Sequence, residues 1–190
     1  MNFTQSCATF SPCKRYRYRL SREWNSDLPL CAWWMLNPSR ANAVDNDLTI
    51  IKICGFAKRW GFGGVVAVNM FGLVSTDPKL LRVTSDPIGP KNATNLSRIL
   101  QDYPRMTRIV CAWGNLPWSF GVYSLWRHVD EWARKLKNDP RTVCLGRTKL
   151  GEPRHPSRIG YMTPTESFGV RNGPNLNGPH VIGAGGVLGF

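Results

Sequence analysis

The run Leu30–Leu36 (LCAWWML) is unbroken apolar sequence that gives way at once to Asn37-Pro38-Ser39-Arg40. Seven apolar residues without polar alternation suit a strand covered on both faces, as in the middle of a parallel sheet. Three more runs share this character: Val65–Met70 (VVAVNM), Arg108–Trp113 (RIVCAW) and Thr142–Leu145 (TVCL). Helical patterns lie between them. Asp47 is a candidate N-cap for Leu48–Trp60, where Ile50, Ile51, Cys54, Ala57 and Trp60 form a stripe that Gly61 ends. Asp77-Pro78 opens a short helix by cap and proline. Pro90–Gln101 and Phe120–Lys137 read as two more, the second with Val122, Leu125, Trp126, Val129, Trp132, Ala133 and Leu136 on one face. The expected fold class is α/β, a three-layer α/β/α sandwich around a central, mainly parallel four-stranded sheet. KRYRYRL (14–20) is an expected additional edge strand. One domain over residues 1–166 is expected, followed by a Gly/Pro/Asn-rich tail over 167–190.

Composition narrows the function. Against 25 Lys+Arg stand 12 Asp+Glu, a formal net charge of +13 in 190 residues. A hydrophobic fraction of 42% with eight Trp excludes wholesale disorder. No run approaches the ~18 apolar residues of a membrane-spanning helix, so no membrane partner is expected. The start, MNFTQSCATFSPCK, lacks an apolar signal core, which argues for a cytoplasmic protein. Cys31, Cys111 and Cys144 lie within apolar runs and no C-x-x-C occurs among the six cysteines, which suits buried thiols in a reducing compartment. The excess positive charge is either a solvated basic surface or a footprint for a polyanion, with single- or double-stranded DNA the expected partner of a monomer. Residues 14–22 (KRYRYRLSR) and 147–158 (RTKLGEPRHPSR) concentrate it, and clustering around Gly, Pro and Ser suggests a loop that touches phosphate.

Ligands of an open α/β sheet bind beyond the carboxyl ends of its strands. After the first strand come Asn37-Pro38-Ser39-Arg40 and Asp45-Asn46-Asp47; the second ends in Asn69-Met70-Phe71; Gly114-Asn115 follows the third; Arg154-His155-Pro156-Ser157 follows the fourth. Amides and an imidazole therefore converge on one rim. Each piece also has a plain structural reading. Asn-Pro-Ser serves as turn and cap, Asn69 as a paired turn amide, Phe71 as core, and His155 as a loop residue. His128 and His180 fall in a helix pattern and in the tail. Asp47 reads as a helix cap, whereas Asp45 is a candidate to activate water or to bond a substituent on an unusual base. The pair has neither a third carboxylate nor a suitably spaced His, so no metal is expected. No iron–sulfur spacing or Gly-rich phosphate loop occurs, and no cofactor is expected.

Asn37-Pro38-Ser39 and His155-Pro156-Ser157 resemble the two signatures of the uracil-DNA glycosylase superfamily, and Asn69 resembles its base-reading Asn; order and spacing agree over about Leu30 to Arg158. The string from YRYRLSREW through WWMLNPSRANAVDNDLTI to CLGRTKLGEPRHP also resembles a bacterial and phage domain-of-unknown-function family. The superfamily resemblance implies a glycosylase fold in which a flipped base stacks on a ring, here Phe71, and is read by Asn69. Asn37 would orient water and stabilise an oxocarbenium-like sugar. His155 would donate to the departing base. Ser39, Arg40, Arg154, Ser157 and Arg158 would contact DNA, with Arg158 placed to plug the vacated stack. The positions after Asn37-Pro38 lack an aromatic wall, so the pocket would admit a pyrimidine with a large polar group at carbon 5. The expected activity is a monofunctional DNA glycosylase acting on a modified, glucosylated hydroxymethylcytosine-type phage base in anti-phage defence. The alternatives are repair of uracil or deaminated bases, a non-catalytic nucleic-acid-binding module, and an enzyme of free nucleotides.

Overall fold

The computed structural model describes residues 2–101, 103–116 and 123–169. Its strands in chain order are Gln5–Phe10 (β1), Arg17–Glu23 (β2), Leu30–Met35 (β3), Gly64–Asn69 (β4), Met106–Cys111 (β5), Thr142–Cys144 (β6) and Glu166–Ser167 (β7). They form one sheet in the order β1-β2-β4-β3-β5-β6-β7. The four apolar runs are its centre: β3 pairs parallel with β4 and β5, and β5 pairs parallel with β6. Antiparallel strands extend it on both sides, β2 and β1 beyond β4, and β7 beyond β6.

The sheet is therefore seven-stranded and mixed, which corrects the expected four-stranded, mainly parallel one. KRYRYRL does contribute a strand, but not an edge, because β1 covers it. Residues of β1 are exposed or half-buried, so no apolar run announces the strand; backbone pairing with β2 makes it. Of the basic side chains of residues 14–22, Arg17 and Arg22 in β2 are buried and form no part of the exposed basic surface.

Among the described residues three α-helices cover the two faces: Leu48–Arg59 (α1), Asn92–Gln101 (α2) and Tyr123–Lys137 (α3). The strand alternation divides the core. Cys31, Trp33 and Met35 pack with Ile50, Ile53, Cys54, Phe56 and Ala57 of α1. Ala32 and Trp34 pack on the opposite face with Leu96 and Ile99 of α2 and Leu125, Val129 and Trp132 of α3. Handedness explains the division. Right-handed crossovers put α1 on one face, because β3 to β4 steps one way across the sheet. They put α2 and α3 on the other, because β4 to β5 and β5 to β6 step back. That reversal creates a switch point between β3 and β5.

The helix signals hold locally. Asp47 Oδ1 accepts from the Ile50 amide at 2.9 Å and caps α1. Asp77 accepts from the Lys79 amide and caps a 3-10 helix over Pro78–Arg82. Trp126, assigned to the apolar face of its helix, is instead 44% exposed. Val122 and Phe120 lie outside the described residues. All six cysteines are free thiols, and burial pushes Cys54 up to about 12 and Cys144 up to about 11. Among the described residues no helix is long and apolar enough to cross a membrane.

The stretch read as a tail begins inside this architecture. Ser167 belongs to β7, and Phe168 is buried, edge-on to Trp113 with ring centroids 5.3 Å apart. Arg147 holds it from the other side, donating to the Phe168 carbonyl at 2.8 Å with its guanidinium 5.0 Å from the ring centroid. Residues 170–190, including His180, lie outside the described residues. Phe168→Ala is expected to cost about 3–5 kcal/mol of unfolding free energy, because it empties a filled core site. Urea denaturation of wild type and variant measures it, and a loss below 1 kcal/mol would place Phe168 outside the cooperative core.

Candidate functional site

A cavity of about 380 Å³ opens at the carboxyl ends of β3 and β5, at the switch point where an open α/β sheet leaves a crevice. Its size lies within the ~300–1,000 Å³ of small-ligand sites. Leu36, Asn37 and Ser39 enter it from the end of β3, Trp113, Gly114 and Asn115 from the end of β5, and His155 from the loop after β6. Ser75 and Thr76, downstream of β4, and Asp47 at the start of α1 close it. A hollow of about 510 Å³ at the other end of β5 is larger, yet it is shallow. The Arg141 lining it is held by Asp139 and by the carbonyls of Leu100 and Met106.

Asn37 is oriented by its backbone surroundings. Its Nδ2 donates to the Ser75 carbonyl at 2.8 Å and to the Pro38 carbonyl at 3.2 Å. Both partners are acceptors, which fixes the amide's sense and leaves Oδ1 for the cavity. The support is a seam of backbone bonds that carries the β3–β4 pairing past the strands: Met70 N–H to Met35 O, Phe71 N–H to Leu36 O and Ser75 N–H to Pro38 O.

His155 is oriented as firmly. The Ser157 amide donates to Nδ1 at 3.4 Å, and the Ser157 Oγ lies 3.0 Å from the same nitrogen. With Nδ1 accepting, the neutral ring carries its proton on Nε2. Burial pushes the His155 pKa below the usual histidine range, opposed by the Asp47 carboxylate. The ring is thus a neutral donor near pH 7. Gly114 lets it approach: φ is +72°, and a Cβ there would sit 3.3 Å from the His155 Cβ.

Arg17 is the residue that sequence reading did not place here. Opposite it the β1–β2 register shifts between Thr9 and Phe10, which puts an extra residue on β2 and reverses which face Arg17 takes. The side chain is 2% exposed, lines the cavity, and donates from Nη1 to the Ala41 carbonyl at 2.6 Å, while Nε–H has no partner. Burial lowers its pKa to about 10, opposed by Asp47, so it is charged at neutral pH. An unpartnered buried donor costs about 1–3 kcal/mol, and more when charged. Asn69 adds to this. It is buried, with Oδ1 and Nδ2 both unpartnered. It pairs in register with the cavity-lining Met35, which packs on the α1 face, but Asn69 itself is not among the residues that line the cavity.

The structure brings Asn37, Ser39 and His155 together at the cavity and leaves Asn69 buried outside its lining. It does not bring Asp45, Phe71 or Arg40 to the cavity lining. Asp45 is exposed on a turn, its carboxylate accepting from Asn42 Nδ2 at 2.8 Å; of the two acids it is the capping Asp47 that faces the cavity. Phe71 is buried on the α2/α3 face, 5.3 Å from the His128 ring, and the aromatic wall of the cavity is Trp113. Arg40, Arg154, Ser157 and Arg158 are exposed, and Ser157 is engaged with His155. Sequence signals existed for Ser75, Thr76 and Asn115, which stand after strands. Arg17 had none, because a bulge decides its face.

What these elements define is an α/β protein with a polar cavity at the switch point of a sheet whose four central strands are parallel. The chain belongs to the family described as "Protein of unknown function (DUF1643)", whose model matches residues 17–157 and so spans every residue lining the cavity. No curated protein and no solved structure matches it.

Acid should weaken the fold through its histidines. His128, whose Nε2–H donates to the Met70 carbonyl at 2.7 Å, also has its pKa lowered by burial. A lowered folded-state pKa means that the unfolded chain takes protons first. Stability is then lost as pH falls from about 6.5 toward the folded values. His155→Gln should flatten that decline, as measured by melting temperature between pH 7.5 and 5; an unchanged slope would show that His155 is not held neutral.

Proposed function

We propose that this protein is a DNA glycosylase that flips a modified pyrimidine into the cavity and hydrolyses its N-glycosidic bond. The observation that carries the reading is the pair Asn37 and His155, facing one cavity with their polar atoms already sorted: a carbonyl oxygen from one, an N–H donor from the other. Cleavage leaves an oxocarbenium-like sugar and an anionic base. Asn37 Oδ1 orients the attacking water and stabilises the sugar cation, and His155 Nε2–H stabilises charge on the departing base oxygen. Trp113 takes the stacking role and Asn69 reads the base edge. Exposed Arg40, Lys149, Arg154 and Arg158 stand near the rim loops for phosphate contact, consistent with the net charge of +13. The absence of an aromatic residue directly after Asn37-Pro38 supports a base with a large polar group at carbon 5, and we propose a hypermodified phage pyrimidine and a role in defence on that ground.

The test is alkali-labile abasic sites in duplexes carrying uracil, hydroxymethylcytosine or its glucosylated form. Asn37→Ala and His155→Ala should each slow excision about a hundredfold, on the order of 3 kcal/mol in barrier, with DNA affinity nearly unchanged. Arg154→Ala and Arg158→Ala should instead weaken binding and reduce its salt dependence. Full excision by a folded Asn37→Ala/His155→Ala protein would refute the site. Binding without excision of any base would favour a non-catalytic DNA-binding module.

A further inference from the structure

We infer that Asp47 is the general base of this site: besides capping α1, its carboxylate takes a proton from the water that attacks the sugar. The inference rests on the glycosylase reading and adds a catalytic residue to it. Hydrolysis has to place that proton, and few groups at the cavity can receive it. Asn37 Oδ1 is a neutral amide oxygen, which orients water without acting as a base. His155 Nδ1 is occupied by the Ser157 amide, and Nε2 already carries the proton that faces the departing base. Arg17 is a cation at neutral pH. The other polar side chains of the lining are hydroxyls, an amide and an indole, none of them basic at neutral pH. Asp47 is the one carboxylate among the described residues that line the cavity.

The cap divides the two oxygens of that carboxylate. Oδ1 accepts from the Ile50 amide at 2.9 Å, which fixes the side chain, and among the described residues Oδ2 has no hydrogen-bond partner. Burial lowers the pKa of both Arg17 and His155, and in each case the Asp47 carboxylate opposes it. The carboxylate is therefore within electrostatic reach of both, including the His155 that serves the leaving group. A carboxylate is a weak base toward free water, but water bonding to an oxocarbenium-like carbon becomes strongly acidic, and a carboxylate then suffices. The step balances. The C1′–N bond breaks and its electron pair leaves with the base, while the water oxygen bonds to C1′. One water proton passes to Asp47 Oδ2, and the other, directed at Asn37 Oδ1, stays on the new hydroxyl.

Substitution can part the two roles of Asp47, because Asn and Ser cap helices as Asp does. The experiment measures single-turnover excision at saturating enzyme, duplex affinity and melting temperature for wild type, Asp47→Asn, Asp47→Ser and Asp47→Ala. The substrate is whichever of uracil, 5-hydroxymethylcytosine and its glucosylated form the wild type excises. Asp47→Asn and Asp47→Ser should keep the wild-type melting temperature and duplex affinity, yet excise about a hundredfold more slowly or worse. Asp47→Ala, which loses the cap as well, should be as slow and melt lower. Excision at the wild-type rate by folded Asp47→Asn or Asp47→Ser overturns the general-base assignment and leaves the glycosylase standing. Melting temperatures that fall in those two as far as in Asp47→Ala, or a loss in duplex affinity in place of rate, also overturn it, because Asp47 would then act through the loop alone. No excision of any base by the wild type removes the glycosylase and the base assignment together.

Discussion

Two guanidinium groups without access to solvent, Arg17 and Arg22, hold the loop on which the cavity depends. Arg17 donates to the Ala41 carbonyl, and Arg22 to the Asn42 and Asp45 carbonyls and to Asn46 Oδ1. The loop between Asn37-Pro38-Ser39 and α1 has little apolar side chain of its own to bury; Val44 is 83% exposed. Charge-assisted bonds to its backbone, at roughly 1.5–3 kcal/mol each, substitute for a hydrophobic anchor. Desolvating two cations is costly; three carbonyls and the Asn46 amide oxygen meet Arg22, while Arg17 has the Ala41 carbonyl and the opposing charge of Asp47. The result is a fixed position for Asp47, hence for the first turn of α1 and one wall of the cavity.

The opposite wall is built from glycine geometry and backbone bonds. Gly114 N–H donates to the Pro153 carbonyl and Arg154 N–H to the Gly146 carbonyl, with Gly114 and Gly146 both at positive φ. These bonds tie the 147–153 turn to the ends of β5 and β6, so that His155 leaves the turn already aimed at the cavity. Asn37 and His155 are thus fixed from opposite sides of the switch point by contacts that involve no ligand. Preorganisation of this kind suits a site that acts on charge developing during reaction, because no reorganisation is needed when the charge appears.

Asn69 and Phe71 are two residues apart, a spacing that would share one face within a strand, but β4 ends at Asn69 and the alternation does not carry past it. Asn69 faces α1 with Met35, whereas Phe71 lies in the α2/α3 core against His128. Their proximity in sequence suggested a reading amide beside a stacking ring; the end of the strand separates them, and Trp113 stands at the cavity instead. Asn92 strengthens the arrangement by donating to the carbonyls of both Asn69 and Met70, which holds the end of β4 rigid above the buried Asn69 amide.

The sequence by itself determined the four central strands, the capped start of α1 and the convergence of Asn37 and His155. Each of these follows from local chemistry: unbroken apolar runs, an Asp at a helix entry, and the rule that strand ends share a rim. Tertiary structure alone decided the rest. Strand β1 carries no apolar pattern and exists through pairing with β2. Arg17 and Arg22 read as surface charge until the sheet buries them. Which acid faces the cavity, Asp47 rather than Asp45, depends on how buried guanidinium groups fold the intervening turn. Arg17 reaches the cavity because a one-residue bulge reverses its face. A strand's period is two, so a single inserted residue moves a side chain from one side of the sheet to the other, and nothing in the neighbouring residue types records it.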